Sequence, residues 1–114
     1  MQCRHTDLYL RALRDHLADC LVTLPELLEH GSPASIHFWF SNLEGLRGEL
    51  FPLLASAYAS WCAGDRGQAI DAACARGRAH WLAICQQVLA LHAEHGQEAP
   101  VPIRRLLASP PSRL

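Results

Sequence analysis

The sequence predicts an all-α fold: a small bundle of three main helical stretches, the first and second kinked at prolines, plus a short C-terminal helix. Three observations predict it. Apolar residues recur at steps of three and four, capping and stop signals fall at the ends of those runs, and 114 residues suit one domain with a modest core. The boundaries expected are a single helical domain over residues 1–108 and a frayed tail over 109–114.

The first stretch is predicted to start at Thr6 or Asp7, either of which can cap free amides. Leu10, Leu13, Leu17, Cys20, Leu24 and Leu27 then lie along one side of a helix, with Asp7, Arg11, Arg14, Asp15 and Asp19 away from it. Pro25 predicts a break or kink, because its ring clashes with the preceding turn and removes a donor. Thr23 and Glu26 have capping-box spacing, so a short new helix is expected there, ending at Gly31.

Ser32-Pro33 opens the second stretch, with serine as cap and proline in the first turn. Trp39, Leu43, Leu46, Leu50, Leu53 and Ala57 form one stripe, and Phe40, Phe51, Leu54, Tyr58 and Trp61 a second beside it. A face this wide implies more than one neighbour. Gly45, Gly48 and Pro52 predict a bend between Gly45 and Pro52.

Gly64-Asp65 reads as the end of one helix and the cap of the next, with Gln68 completing another capping-box spacing. The third stretch, about Arg66 to His95, is the longest, with Ile70, Ala73, Gly77, Trp81, Ile84, Val88 and Leu91 on one face. Ala99-Pro100-Val101-Pro102 is expected to run extended into a short amphipathic helix, Ile103 to Ala108.

Composition bounds the function. Half the residues are hydrophobic and 18% are charged, which leaves more apolar surface than a thin helical layer can bury alone. Ten arginines and no lysine stand against eleven acids for a formal charge of -1, a balance that argues against direct nucleic-acid binding. A long uncharged run, Leu50 to Ala63, contains Pro52 and Ser56 and is too short to span a bilayer, and the N-terminus has no signal-peptide core. A cytoplasmic location without membrane association is the expectation. Five cysteines, at 3, 20, 62, 74 and 85, show no Cys-x-x-Cys pair and are expected to behave as small buried hydrophobes, with Cys3 the most reactive.

The sharpest local metal pattern is His92-Ala93-Glu94-His95, which places two imidazoles on one helical face. Cys85, Glu44 or Glu49 would have to complete a site, and none has a recognisable ligand spacing. As exposed residues in a last turn, the histidines instead complement the helix dipole. There is no Gly-x-Ser-x-Gly, and a lysine-free chain cannot hold a Gly-x-x-x-x-Gly-Lys loop. The chain is therefore expected not to be an enzyme and to carry no cofactor or metal.

The unusual segment is Ile36-His37-Phe38-Trp39-Phe40, whose three consecutive aromatics cannot all face one neighbouring helix. With Phe51, Tyr58 and Trp61 they place six of the eight aromatics on the second stretch. One reading is a wide core stripe; the other is a docking surface for another chain, formed by Phe38, Phe40, Arg47, Phe51, Leu54 and Tyr58.

In length, in its lysine-free Ala/Leu/Arg composition and in the pattern around Ser35-Ile36-His37-Phe38-Trp39-Phe40 and Gly64-Asp65, the chain resembles the small helical quorum-sensing antiactivators that bind LuxR-type transcription activators. The resemblance implies a protein that occupies the activator's dimerisation surface so that DNA binding is lost. A homodimer is also expected, since a bent helix with two apolar stripes can pair with its own copy. Two alternatives stay open: a metal- or small-ligand-binding bundle using His92, His95 and Cys85, and a secretion chaperone or antitoxin-like protein using the same apolar surface.

Overall fold

The computed structural model describes residues 2–114, with the backbone alone described at residues 2–6 and 110. It is 85% helical with no strand among the described residues, which makes the fold all-α.

Helix α1 spans Gln2–Ala18, so Asp7 lies inside it, and Thr6, the other predicted cap, lies with Cys3 outside the described side chains. A π-helical turn, Asp19–Thr23, then leads directly into α2, Leu24–His30. Of the break or kink predicted at Pro25, the structure shows a local widening of the helix and no break. The Leu24 N–H bonds back to the Asp19 carbonyl, five residues earlier, and this wider turn absorbs the proline without ending the helix. Thr23 keeps helical angles (φ -63°, ψ -53°) and caps nothing, so the predicted capping box is not formed.

Extended backbone at Gly31 and Ser32 separates α2 from α3, Pro33–Ser41, and Ser32 Oγ accepts the Ser35 N–H at 3.2 Å as its spacing predicts. Two breaks replace the single bend expected downstream. Gly45, at φ 60° and ψ -139°, takes a conformation only glycine adopts readily and starts α4, Leu46–Leu50. Phe51, at φ -134° and ψ 61°, then separates α4 from α5, Pro52–Cys62, because a residue before proline is driven out of the helical region.

The helix α5 ends in a full Schellman motif: Gly64 N–H bonds to the Trp61 carbonyl at 3.0 Å and Asp65 N–H to the Ser60 carbonyl at 3.2 Å. Arg66 (φ 64°) and Gly67 (φ 90°) are both left-handed, which delays α6 to Gln68–His95. Asp65 still caps it, its carboxylate accepting the Gly67 and Ala69 N–H groups at 2.8 and 2.9 Å.

Helix α6 is the spine. Its 28 residues span about 42 Å at ~1.5 Å per residue, nearly the 47 Å long axis of the molecule. Its buried face carries Ile70, Ala73, Cys74, Gly77, Trp81, Ile84 and Val88, the predicted stripe with Cys74 added and Leu91 left half-buried. The helices α1, α2, α5 and α7 all pack on it. Helix α1 runs antiparallel to α6: Arg78 reaches the Cys20 carbonyl at one end, and Asp7 and Leu10 share a cleft with His92 at the other.

Two predictions at the C-terminus are corrected. The segment Ala99–Pro102 is not extended, because α7 spans Pro100–Ala108 and holds both prolines in its first turn, where no helical donor is needed. Residues 109–114 do not fray. Leu114 N–H bonds to the Leu50 carbonyl at 2.9 Å, the His80 ring donates to the Ser112 carbonyl at 2.8 Å, and Ser112 is buried. The tail thereby ties α4 to the middle of α6.

Core and helix crossing meet at Gly77. A Cβ there would lie 2.5 Å from Cys20 Sγ and 3.0 Å from the tip of the Phe51 ring, so only glycine lets the π-turn and Phe51 approach α6 this closely. Gly77→Ala is expected to lose about 2 kcal/mol, overpacking outweighing the ~1 kcal/mol that alanine gains in a helix. Adding Cys20→Ala should recover most of that loss, since it vacates the space the new methyl group needs. Chemical denaturation of the two single variants and the double variant reads the coupling.

Candidate partner-binding groove

Between α2 and α3 the surface opens into an apolar groove of about 680 Å³. One wall is Thr23 and Leu27 from the first helical segment. The other is the outward face of α3, with Ala34, Ser35, Phe38, Trp39 and Asn42, and Leu43 and Arg47 close the end. This face of α3 is available because its opposite side, Ile36 and Phe40, enters the core. Phe38 is 72% exposed, the most exposed large hydrophobic residue among those described.

Arg47 fixes the closed end. Its guanidinium pairs with Asp19 from the π-turn and lies over the Trp39 ring, 5.7 Å from the centroid. Its carbonyl accepts a hydrogen bond from His16 Nε2 at 2.8 Å. These contacts tie the short α4 to α1, and they hold the indole that lines the groove. The end of α3 is shaped by its own polar side chains, since Asn42 Nδ2 and Ser41 Oγ donate to the carbonyls of Phe38 and His37, each at 2.8 Å. Satisfying those last carbonyls ends the helix beside the groove.

Of the six residues predicted to bind a partner, the structure brings Phe38 and Arg47 together in this groove. Phe40, Phe51 and Leu54 are corrected to core positions, at 8%, 0% and 0% exposure. Tyr58 is half-buried on the far side of α3. Its ring stacks on Phe40 at 4.5 Å and on Trp61 at 6.0 Å, and its hydroxyl shares a hydrogen bond with His37 Nδ1 at 2.6 Å. That stack fastens α3 to α5 and so supports the groove from behind. Leu27, Thr23 and Leu43 were not singled out as binding residues. The only signal for Leu27 and Leu43 was membership of helical stripes that the core leaves half-covered, and Thr23, read as a cap, carried none.

His92 and His95 are exposed at the end of α6, with no third donor brought to them among the described residues. His92 lines a 260 Å³ cleft with Asp7, Leu10 and Ile103, which does not include Cys85. Elsewhere Glu26, Glu29 and His30 place ligating atoms within 4.8 Å of one another, all on the exposed surface of α2. Their ring-to-carboxylate distances of 3.7 and 3.8 Å are those of loose surface pairs at a helix end.

No helix of the described residues is long and apolar enough to cross a membrane. No curated protein and no solved structure matches the chain. The family described as a family of unknown function, DUF6866, C-terminal domain, matches residues 1–110, and the chain belongs to it.

Proposed function

We propose that this chain is a non-catalytic regulator that binds another protein through the groove between α2 and α3. The partner is a transcription activator of the LuxR type, sequestered in the cytoplasm so that it neither dimerises nor binds DNA. The single observation that carries the binding reading is an open, apolar groove of about 680 Å³ with Phe38 at its lip, 72% exposed. Pairing of an aromatic anchor with an arginine at one end is the composition of a binding hot spot. The partner class rests on the resemblance to small helical antiactivators. Self-association uses a different surface, the exposed Leu82 and Leu89 two turns apart on α6.

The test is complex formation between the purified chain and a LuxR-type activator from the same cells, followed by size exclusion and by retardation of the activator's DNA. The expected result is a stable complex and loss of the DNA shift. Phe38→Asp should weaken the complex at least tenfold, about 1.4 kcal/mol, while changing folding stability by less than about 0.5 kcal/mol. Absence of a complex sinks the partner assignment, and equal binding by wild type and Phe38→Asp sinks the groove.

A further inference from the structure

Helix α6 has a back as well as a core face. Opposite the buried Gly77 and Ile84, the residues Ala75, Ala79, Leu82, Gln86, Leu89 and Ala93 are all exposed. They recur at alternating steps of four and three, the heptad spacing that keeps one seam of a helix facing a partner helix. Leu82 is 49% exposed and Leu89 67%. The seam runs about 27 Å at ~1.5 Å per residue and carries no charge, and Ala83 and Ala90 leave its margin uncharged as well. A helix that turns its back to water alone would carry its charges in the middle of this arc. In α6 they stand at the edges.

Those edge charges have a direction. At ~100° per residue, Arg76 and Glu94, eighteen positions apart, fall on the same edge of the helix, about five full turns from each other. Both are exposed. Arg76 makes no ion pair among the described residues, and Glu94 makes only a 3.8 Å contact with its neighbour His95. Two copies of α6 side by side in parallel would set like charges against each other. Turned antiparallel about a two-fold axis level with Ile84 and Cys85, each copy sets its Arg76 opposite the partner's Glu94. The same axis lays Leu89 on the partner's Ala79 and Leu82 on the partner's Gln86, so large side chains meet small or flexible ones in every layer. Gln86, the one polar residue of the seam, falls beside the axis, where a single polar residue sets register. Each half of the seam thus supplies what the other half needs, which an isologous contact requires and a foreign partner does not.

We propose that two copies of this chain pair antiparallel, back to back along α6, about a two-fold axis level with Ile84 and Cys85. The proposal rests on the self-association reading above and gives it an orientation and a register. Alanines in the seam let the helix axes approach to about 8 Å, and burial of Leu82 and Leu89 drives the association. The groove has no lining residue on α6, so self-pairing and the groove's partner use separate residues.

The test is sedimentation equilibrium of the full-length chain over a range of concentrations. A monomer–dimer equilibrium is expected. Ala79→Glu and Leu89→Glu, both at exposed helical positions, should each weaken the dimer at least about tenfold and leave the helical circular dichroism unchanged. Arg76→Glu and Glu94→Arg should each weaken it about threefold, and combining them should restore it, because the pair is then reversed and not lost. A chain that stays monomeric at every concentration sinks self-association itself, and a dimer that both glutamate variants leave intact places the contact elsewhere. Loss of the dimer in those variants, with no rescue by the double charge reversal, keeps the surface and overturns the antiparallel pairing. Should a glutamate variant unfold, the charge reversals decide.

Discussion

Phe51→Ala is expected to cost about 4 kcal/mol of folding stability, while Phe38→Ala, on the same aromatic-rich stretch, should change it by less than about 0.5 kcal/mol. Phe51 is fully buried at the one-residue break between α4 and α5. Its ring meets Trp81 at 5.4 Å and His16 at 5.2 Å, both edge-on, and its tip lies against Gly77 of α6. Removing it empties the point where α1, α6 and the α4–α5 corner converge. The surrounding walls are helices held by their own hydrogen bonds, so they cannot collapse fully into the void. Phe38 leaves no void, because water already covers most of it. Urea denaturation of both variants checks this, and a Phe51→Ala cost under about 1 kcal/mol would mean that the ring is not core. The comparison also governs how binding data are read. Phe40→Ala and Tyr58→Ala disturb the stack that seats α3, so a binding loss in either reports on support of the groove and not on contact with the partner.

Why Phe51 and Leu54 look like surface in the sequence, and are core in the molecule, is a matter of helical phase. Stripes read across residues 33–63 assume one continuous helix, and the phase holds only within each piece. After Ser41 the chain turns through Gly45, and at Phe51 it turns again, so each piece is rotated relative to the last. The α6 stripe, with nothing to interrupt it, was legible almost residue by residue. Ser32, Gly64 and Asp65 were legible as well, since caps depend on local hydrogen bonds. The π-turn and the docked tail were not. Pro25 signals a disturbance without saying that a wider turn can absorb it, and Ser112 and Leu114 are held by partners on α6 and α4, which no local pattern reveals. Periodicity likewise found the surplus of apolar surface but not its location. The groove exists because α3 crosses α2 at one end, leaving Leu27 and Thr23 half-covered.

Stability is expected to fall by about 3 kcal/mol between pH 6.5 and pH 4, and His16 is the cause. The ring has no solvent exposure, lies stacked on Trp81 at 5.1 Å, and donates from Nε2 to the Arg47 carbonyl, while its Nδ1 has no partner. Burial first, and then the Arg47 charge, lower its pKa from 6.5 to about 4, with the bond to the Arg47 carbonyl and the Asp15 charge acting weakly in the other direction. The sign follows from which state holds the proton. Below about pH 6.5 the unfolded chain protonates this ring and the folded chain does not, so each step down in pH favours unfolding, at up to about 1.4 kcal/mol per pH unit. Above pH 6.5 both states are neutral at this position, and below pH 4 both are charged, so the effect is confined to that window. Since small domains are stable by only about 5–15 kcal/mol, such a loss should be visible as an acid-shifted denaturation midpoint. His16→Gln keeps a side-chain donor for the Arg47 carbonyl but cannot titrate. It should be less stable than wild type at pH 7 and lose less stability on acidification, so that the two curves converge towards pH 4. Equal pH slopes in the two proteins would show that the acid sensitivity lies elsewhere. The consequence reaches the groove, because the carbonyl His16 holds belongs to Arg47: charging the imidazole sets two cations against each other where α4 is tied to α1. Acid should therefore loosen the closed end of the groove before the spine of α6 is lost, and hydrogen exchange at Leu46–Leu50 should rise ahead of exchange in the middle of α6.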